Sequence, residues 1–132
     1  MIELSGVTKR YPGGHEALSD VSLTIEQGEL VFLTGHSGAG KSTLLKLVAA
    51  IERPTVGHVI VNSQNVGRMK RPALVLADEP TANLDDAYAK DIMDMFRAFN
   101  EVGVTLLIST HDQDLIRRYG GRNVQLAYGK LV

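Results

Sequence analysis

Leu30-Val31-Phe32-Leu33-Thr34-Gly35-His36-Ser37-Gly38-Ala39-Gly40-Lys41-Ser42 decides the fold, because an apolar run leads straight into a complete G-x-x-x-x-G-K-[ST] phosphate-binding loop. The run reads as a buried strand. Behind the loop, Leu44, Leu45, Val48 and Ile51 recur at helical spacing, so strand, turn and helix follow one another as a phosphate site requires. Glycines at 35, 38 and 40 let the backbone curl so that successive N–H groups face inward, and the helix adds its positive dipole end. Lys41 is expected to bridge the terminal phosphates as a point charge, and Ser42 to offer its hydroxyl to Mg2+. The expected nucleotide contacts here are Gly35, Ser37, Gly38, Ala39, Gly40, Lys41, Ser42 and Thr43. A glycine-rich turn that merely joins strand to helix is the competing reading; the four filled motif positions and their context disfavour it.

A second apolar run, Ala73-Leu74-Val75-Leu76-Ala77, delivers Asp78 and Glu79 at its end. Asp78 suits a Mg2+ site through the ion's hydration shell. Glu79 suits a base that polarises the water attacking a γ-phosphate. Solvated loop acids before Pro80 are the plainer alternative, and the phosphate loop in the same small chain weighs against it.

Composition narrows the partners. At 132 residues a single domain is expected, able to bury about two-thirds of its unfolded surface. Fourteen basic and 15 acidic side chains give a net charge of −1, which supplies no electrostatic footprint for nucleic acid and no polybasic membrane anchor. The absence of cysteine removes disulfide and thiolate chemistry and is compatible with a cytoplasmic setting. No basic region with a long apolar run opens the chain, and the most apolar helix carries Lys46, so neither a signal peptide nor direct membrane insertion is expected.

The patterning predicts strands near 2–10, 19–26, 30–34, 57–61, 73–77, 104–108 and 123–127, with a short one at 130–132. Helices are predicted near 41–51, 86–101 and 112–119. Runs 30–34, 73–77 and 104–108 lack clean alternation, as parallel strands covered on both faces do. Tyr88, Ile92, Met95, Phe96 and Phe99 are expected to form the buried stripe of the 86–101 helix, with Asp85 capping its start. The stretch 62–71 reads as the longest loop.

Gly35 to Ser42, Asp78-Glu79-Pro80-Thr81, Ala82-Asn83-Leu84-Asp85 and Ser109-Thr110-His111-Asp112 together resemble, in order, the Walker A, Walker B, D-loop and switch-histidine segments of ATP-binding-cassette ATPases. Tyr11-Pro12-Gly13-Gly14-His15-Glu16-Ala17-Leu18 and Ile51-Glu52-Arg53-Pro54 resemble the cell-division branch of that family more than its lipoprotein-export or macrolide-export branches. The resemblance implies an α/β P-loop NTPase core, mostly parallel sheet with flanking helices, plus a small antiparallel layer. It also implies ATP/ADP and Mg2+ as ligands, Glu79 and His111 as catalytic residues, Ser42 and Asp78 as metal residues, and His111 at the γ-phosphate. Tyr11 either stacks on adenine or is a turn tyrosine, and Asp85 acts either across a dimer or as a local cap. His15, His36 and His58 are read as structural or solvent residues.

The family places a glutamine loop, a helical subdomain and a Leu-Ser-Gly-Gly-Gln signature between Walker A and Walker B. Here Asp78 arrives 36 residues after Ser42, and none of the three can be found; Leu4-Ser5-Gly6 lies in the first strand, and Gln64 follows a strand in a polar stretch. The chain is therefore expected to be one truncated domain over 1–132 with its seam near 70–72, an excision that looks more like engineering than drift. An ATP-binding core with turnover near background is the leading expectation. A slow but genuine ATPase and a non-catalytic scaffold are the alternatives. The resemblance implies a cytoplasmic protein at the inner face of the bacterial inner membrane, with an FtsX-like permease as its family partner. The docking walls for that partner are compromised here, and strand 73–77 is expected to become a sheet edge that either self-associates or is hidden beneath the 62–71 loop.

Overall fold

Alternate residues of the strand leading into the phosphate loop point into two different cores. In β3 (Leu30–Thr34), Val31 and Leu33 join one apolar cluster while Phe32 joins the other, all fully buried. β6 (Thr105–Ser109) repeats the pattern, with Leu107 on the first side and Leu106 and Ile108 on the second. A strand covered on both faces has no polar side to show, which is why these runs do not alternate.

The computed structural model describes residues 1–61 and 74–132. The main sheet has five strands in the order β5 (Leu74–Asp78), β6, β3, β7 (Arg122–Ala127) and β8 (Lys130–Leu131). The first four are parallel, and β8 returns antiparallel on β7. A second sheet, order β2 (Glu16–Ile25), β1 (Ile2–Arg10), β4 (Val56–Val61), is antiparallel. Ile2, Leu4, Val7, Leu18, Val21 and Ile25 from this layer share the first core with Leu44, Leu47 and Val48 of α1 (Lys41–Val48). The second core lies under α2 (Asp86–Glu101) and α3 (Gln113–Tyr119), through Met93, Phe96 and Leu115.

Four expectations need correction or a boundary. β2 starts at Glu16, not near 19, because Arg10 pairs with Glu16 directly after a tight turn closed by Tyr11 N–H to His15 C=O at 2.8 Å. α1 ends at Val48 rather than at 51; Ala50 takes a positive φ of 60°, and Ile51 is 72% exposed instead of joining the helical stripe. In α2 the buried positions are Met93 and Phe96, flanked by half-buried Ile92 and Phe99, while Tyr88 and Met95 are exposed. The stripe is thus 92, 93, 96 and 99, rotated from the one expected, since residues 88 and 95 fall on its solvent-facing shoulder. The 62–71 loop, Gln64, Ala73 and the 70–72 seam lie outside the described residues.

Among the described residues β5 pairs only with β6 and stands last in the strand order.

Candidate functional site

Parallel register brings the polar residues together. Leu33 of β3 lies opposite Ser109 of β6, and Asp78 of β5 lies opposite Ser109 from the other side, so three strands end at one level. The crevice outside the carboxyl ends of parallel strands is where open α/β sheets bind ligands. The loop 35–40 starts there and turns into α1.

Two glycines are sterically required. A Cβ at Gly35 would meet the Leu126 carbonyl oxygen at 2.3 Å, and one at Gly40 would meet the Ala17 carbonyl oxygen and Leu18 Cδ2 at 2.7 Å. Both also hold positive φ, 149° and 110°. The loop is braced from outside by the β7–β8 turn, where Gly129 N–H donates to Ala39 C=O at 2.8 Å and Gly129 C=O accepts from Ser19 N–H at 2.8 Å. His36 adds a second brace. Its Nε2 accepts from Tyr128 N–H at 3.1 Å, which puts the ring proton on Nδ1, donating to Ser37 C=O at 2.8 Å. The two rings also touch, with centroids 4.5 Å apart. This agrees with a structural role for His36.

A cavity of about 610 Å³ opens over the loop, lined by Gly35, His36, Ser37, Gly38, Lys41, Ser42, Asp78, Glu79 and His111. Lys41, only 9% exposed, donates to Gly35 C=O at 2.6 Å and lies 3.5 Å from Glu79 Oε1. Ser42 Oγ donates to Asp78 Oδ2 at 2.8 Å, and Ser109 Oγ donates to Asp78 Oδ1 at 2.5 Å, so each carboxylate oxygen has one hydroxyl donor. Glu79 takes the left-handed conformation, φ 48°, held by its N–H to the Ser109 carbonyl at 3.0 Å and to Ser109 Oγ at 3.1 Å. A non-glycine residue in that region is strained, and such strain collects at working sites. It turns the Glu79 carboxylate toward His111, whose Nδ1 lies 3.0 and 3.1 Å from the two oxygens.

A smaller cavity, about 160 Å³, adjoins the first across Gly38, Lys41 and Ser42 and is bordered by Tyr11, His15, Ala17, Gly40 and Thr43. Every expected site residue therefore faces one of two joined cavities, except Ala39, which is fully buried and serves the loop through its backbone. Asp85 caps α2, accepting from Tyr88 N–H at 3.0 Å, as the local reading expects.

Ser109 has no role of its own in the motif that contains it. A polar residue closing the apolar run 104–108 is the signal that marks it, and only the register shows that it serves Asp78 and Glu79 together. Glu52, which meets the Tyr11 hydroxyl at 2.5 Å, lies in the 51–54 stretch that carries the resemblance, but nothing local to it signals this contact.

Ser42 and Asp78 also fit a Mg2+ ion chemically. They are hard oxygen donors side by side, and Mg2+ on a nucleotide needs only one or two protein oxygens beside phosphate and water. Among the described residues no group of three or more His, Asp or Glu side chains could hold a metal by itself.

The family model described as ABC transporter matches residues 18–71. The cell division ATP-binding protein FtsE of Escherichia coli (strain K12) is 31% identical over 215 aligned positions, covering 99% of this chain and 97% of that protein. The chain belongs to the ATP-binding-cassette ATPase family. A second relative, FtsE of Mycobacterium tuberculosis (strain ATCC 25618 / H37Rv), is 28% identical over 100% of this chain and 94% of its own length. In fold, the chain superimposes on the dimeric post-hydrolysis structure of the cassette MJ0796 bound to ADP and Pi with a TM-score of 0.86, at 22% identity, covering 99% of this chain and 96% of that one.

Proposed function

We propose that this chain is the Mg2+–ATP/ADP-binding core of an FtsE-like cassette ATPase, with hydrolysis reduced to near background. The observation that carries the reading is the convergence of Lys41, Ser42, Asp78, Glu79 and His111 on one cavity at the carboxyl ends of β3, β5 and β6. Loop N–H groups and the start of α1 receive the β- and γ-phosphates, and Lys41 exchanges its bond to Gly35 C=O for phosphate oxygens. Ser42 and Asp78 would hold Mg2+, which when bound neutralises phosphate charge. Glu79 takes the proton of the water that attacks the γ-phosphorus as the bond to the β-phosphate oxygen breaks. His111, hydrogen-bonded to Glu79, holds that carboxylate and reaches the γ-phosphate.

An alignment of 215 positions against a chain of 132 residues supports an internal truncation. Asp78 follows Ser42 by only 36 residues, too few for the glutamine loop, helical subdomain and signature. The groups that a second subunit would supply across the site are thereby lost, and groups supplied in trans to phosphoryl transfer can be worth about a thousandfold or more. Docking to an FtsX-like permease at the inner membrane face fails for the same reason. The β5 edge offers self-association in its place. No helix among the described residues is long and apolar enough to cross a membrane.

The intact Glu79–His111 pair favours a second reading, a slow genuine ATPase. Phosphate release by the parent beside Glu79→Gln separates the two. The leading reading expects parent and variant to match near background, linear in protein concentration. Turnover that Glu79→Gln abolishes supports the second, and robust cooperative turnover contradicts the truncated-core reading.

A further inference from the structure

Tyr11 stands at the end of β1, and its ring borders the smaller cavity beside the phosphate loop. Its position is not left to the turn. The phenol donates to Glu52 Oε2 at 2.5 Å and lies 3.4 Å from Thr43 Oγ1. Glu52 itself is anchored just past α1, where Ile51 N–H and Glu52 N–H close on Lys46 C=O at 2.9 and 3.3 Å. The carboxylate therefore ties the tip of the ring to the helix that the phosphate loop opens. Lys9 Nζ lies 5.3 Å from the ring centroid and donates to the carbonyl of Arg53, next to Glu52, at 2.8 Å.

One face of the ring is thus taken by a cation, its tip is fixed, and the residue lines a cavity that shares Gly38, Lys41 and Ser42 with the cavity over the phosphate loop. We propose that Glu52 is a positioning residue for nucleotide recognition, holding the Tyr11 ring as the stacking platform for the base of a nucleotide whose phosphates lie in the loop. The proposal rests on the nucleotide-site reading above and assigns its base-binding half to a residue pair. A short hydrogen bond to a carboxylate is strong for its kind, and a ring already immobilised loses less freedom when a base stacks on it. The same bond favours the protonated phenol and holds the Tyr11 pKa above the ordinary tyrosine value.

Calorimetry with Mg2+ on the whole chain tests this, using ADP and inorganic tripolyphosphate as probes. Glu52→Ala and Tyr11→Phe are each expected to weaken ADP about three- to tenfold and to leave tripolyphosphate unchanged, since one hydrogen bond orders one stacking contact. Glu52→Gln keeps an acceptor and is expected to stay near the parent. The double variant Tyr11→Phe with Glu52→Ala is expected to be no worse than either single change. Should Glu52→Ala fail to fold, Glu52→Gln and Tyr11→Phe still decide the outcome. A parent that binds neither probe removes the nucleotide-site reading and this proposal with it. A parent that binds both, with ADP affinity unmoved by Tyr11→Phe and Glu52→Ala or with both probes weakened equally, overturns the Glu52 assignment alone.

Discussion

Ser109→Ala isolates the residue that the strand register placed at the centre of the site. The hydroxyl has two jobs: donating to Asp78 Oδ1 at 2.5 Å and accepting from Glu79 N–H at 3.1 Å. The second is duplicated, because the same N–H also reaches the Ser109 carbonyl at 3.0 Å, so the substitution orphans no buried amide. The first is lost outright. A hydrogen bond to a charged group contributes about 1.5–3 kcal/mol, but Asp78 is exposed and keeps Ser42 Oγ at 2.8 Å, so water recovers part of the loss. The expected cost is about 1–2 kcal/mol, a fall in Tm of roughly 3–10 °C for a domain of this size. Thermal unfolding followed by circular dichroism reads it directly. A variant within about 0.5 kcal/mol of the parent would refute the claim that Ser109 holds Asp78 in place, since that is the ordinary range for a surface change.

Asp85→Ala removes the α2 cap and is expected to cost about 1 kcal/mol in urea unfolding with no change in nucleotide affinity, because its carboxylate serves Tyr88 N–H. On the same helix, Asp94 accepts hydrogen bonds from Lys90 and, across from α3, from the Tyr119 hydroxyl, and these hold its carboxyl below the ordinary range. A depressed folded pKa gives stability that is present above the ordinary carboxylate range and is lost as pH falls through the folded value. Asp94→Asn is therefore expected to be less stable than the parent at neutral pH and to converge with it in acid, and unfolding curves taken from pH 7 downward check this.

What the sequence made legible was local. A motif with fixed spacing, such as 35–42, needs only its neighbours to form; its strand lies where the apolar run puts it and its helix starts at Lys41 as expected, though it stops at Val48. Asp78, Glu79 and His111 were legible as strand-end residues, since parallel strands deliver whatever follows them to one edge. What stayed hidden depends on partners distant in the chain. Glu52 meets Tyr11 across 41 positions, and Ser109 meets Asp78 across 31. The rotation of the α2 stripe had a similar cause. Met93 and Met95 are equally apolar in sequence, and only the direction of approach to β6 chooses Met93 for the core.

The central claim, that the cavity over the 35–42 loop seats a Mg2+–nucleotide, is tested most directly by isothermal calorimetry of ADP and ATP with Mg2+ against the parent chain and Lys41→Ala. Lys41 is the only buried cation among the described residues, and its bond to Gly35 C=O is the one that phosphate oxygens would replace. The expected result is binding by the parent in the micromolar-to-millimolar range, about −8 to −4 kcal/mol, with most of it abolished by the substitution. No heat from the parent, or equal affinity after Lys41→Ala, would contradict the account.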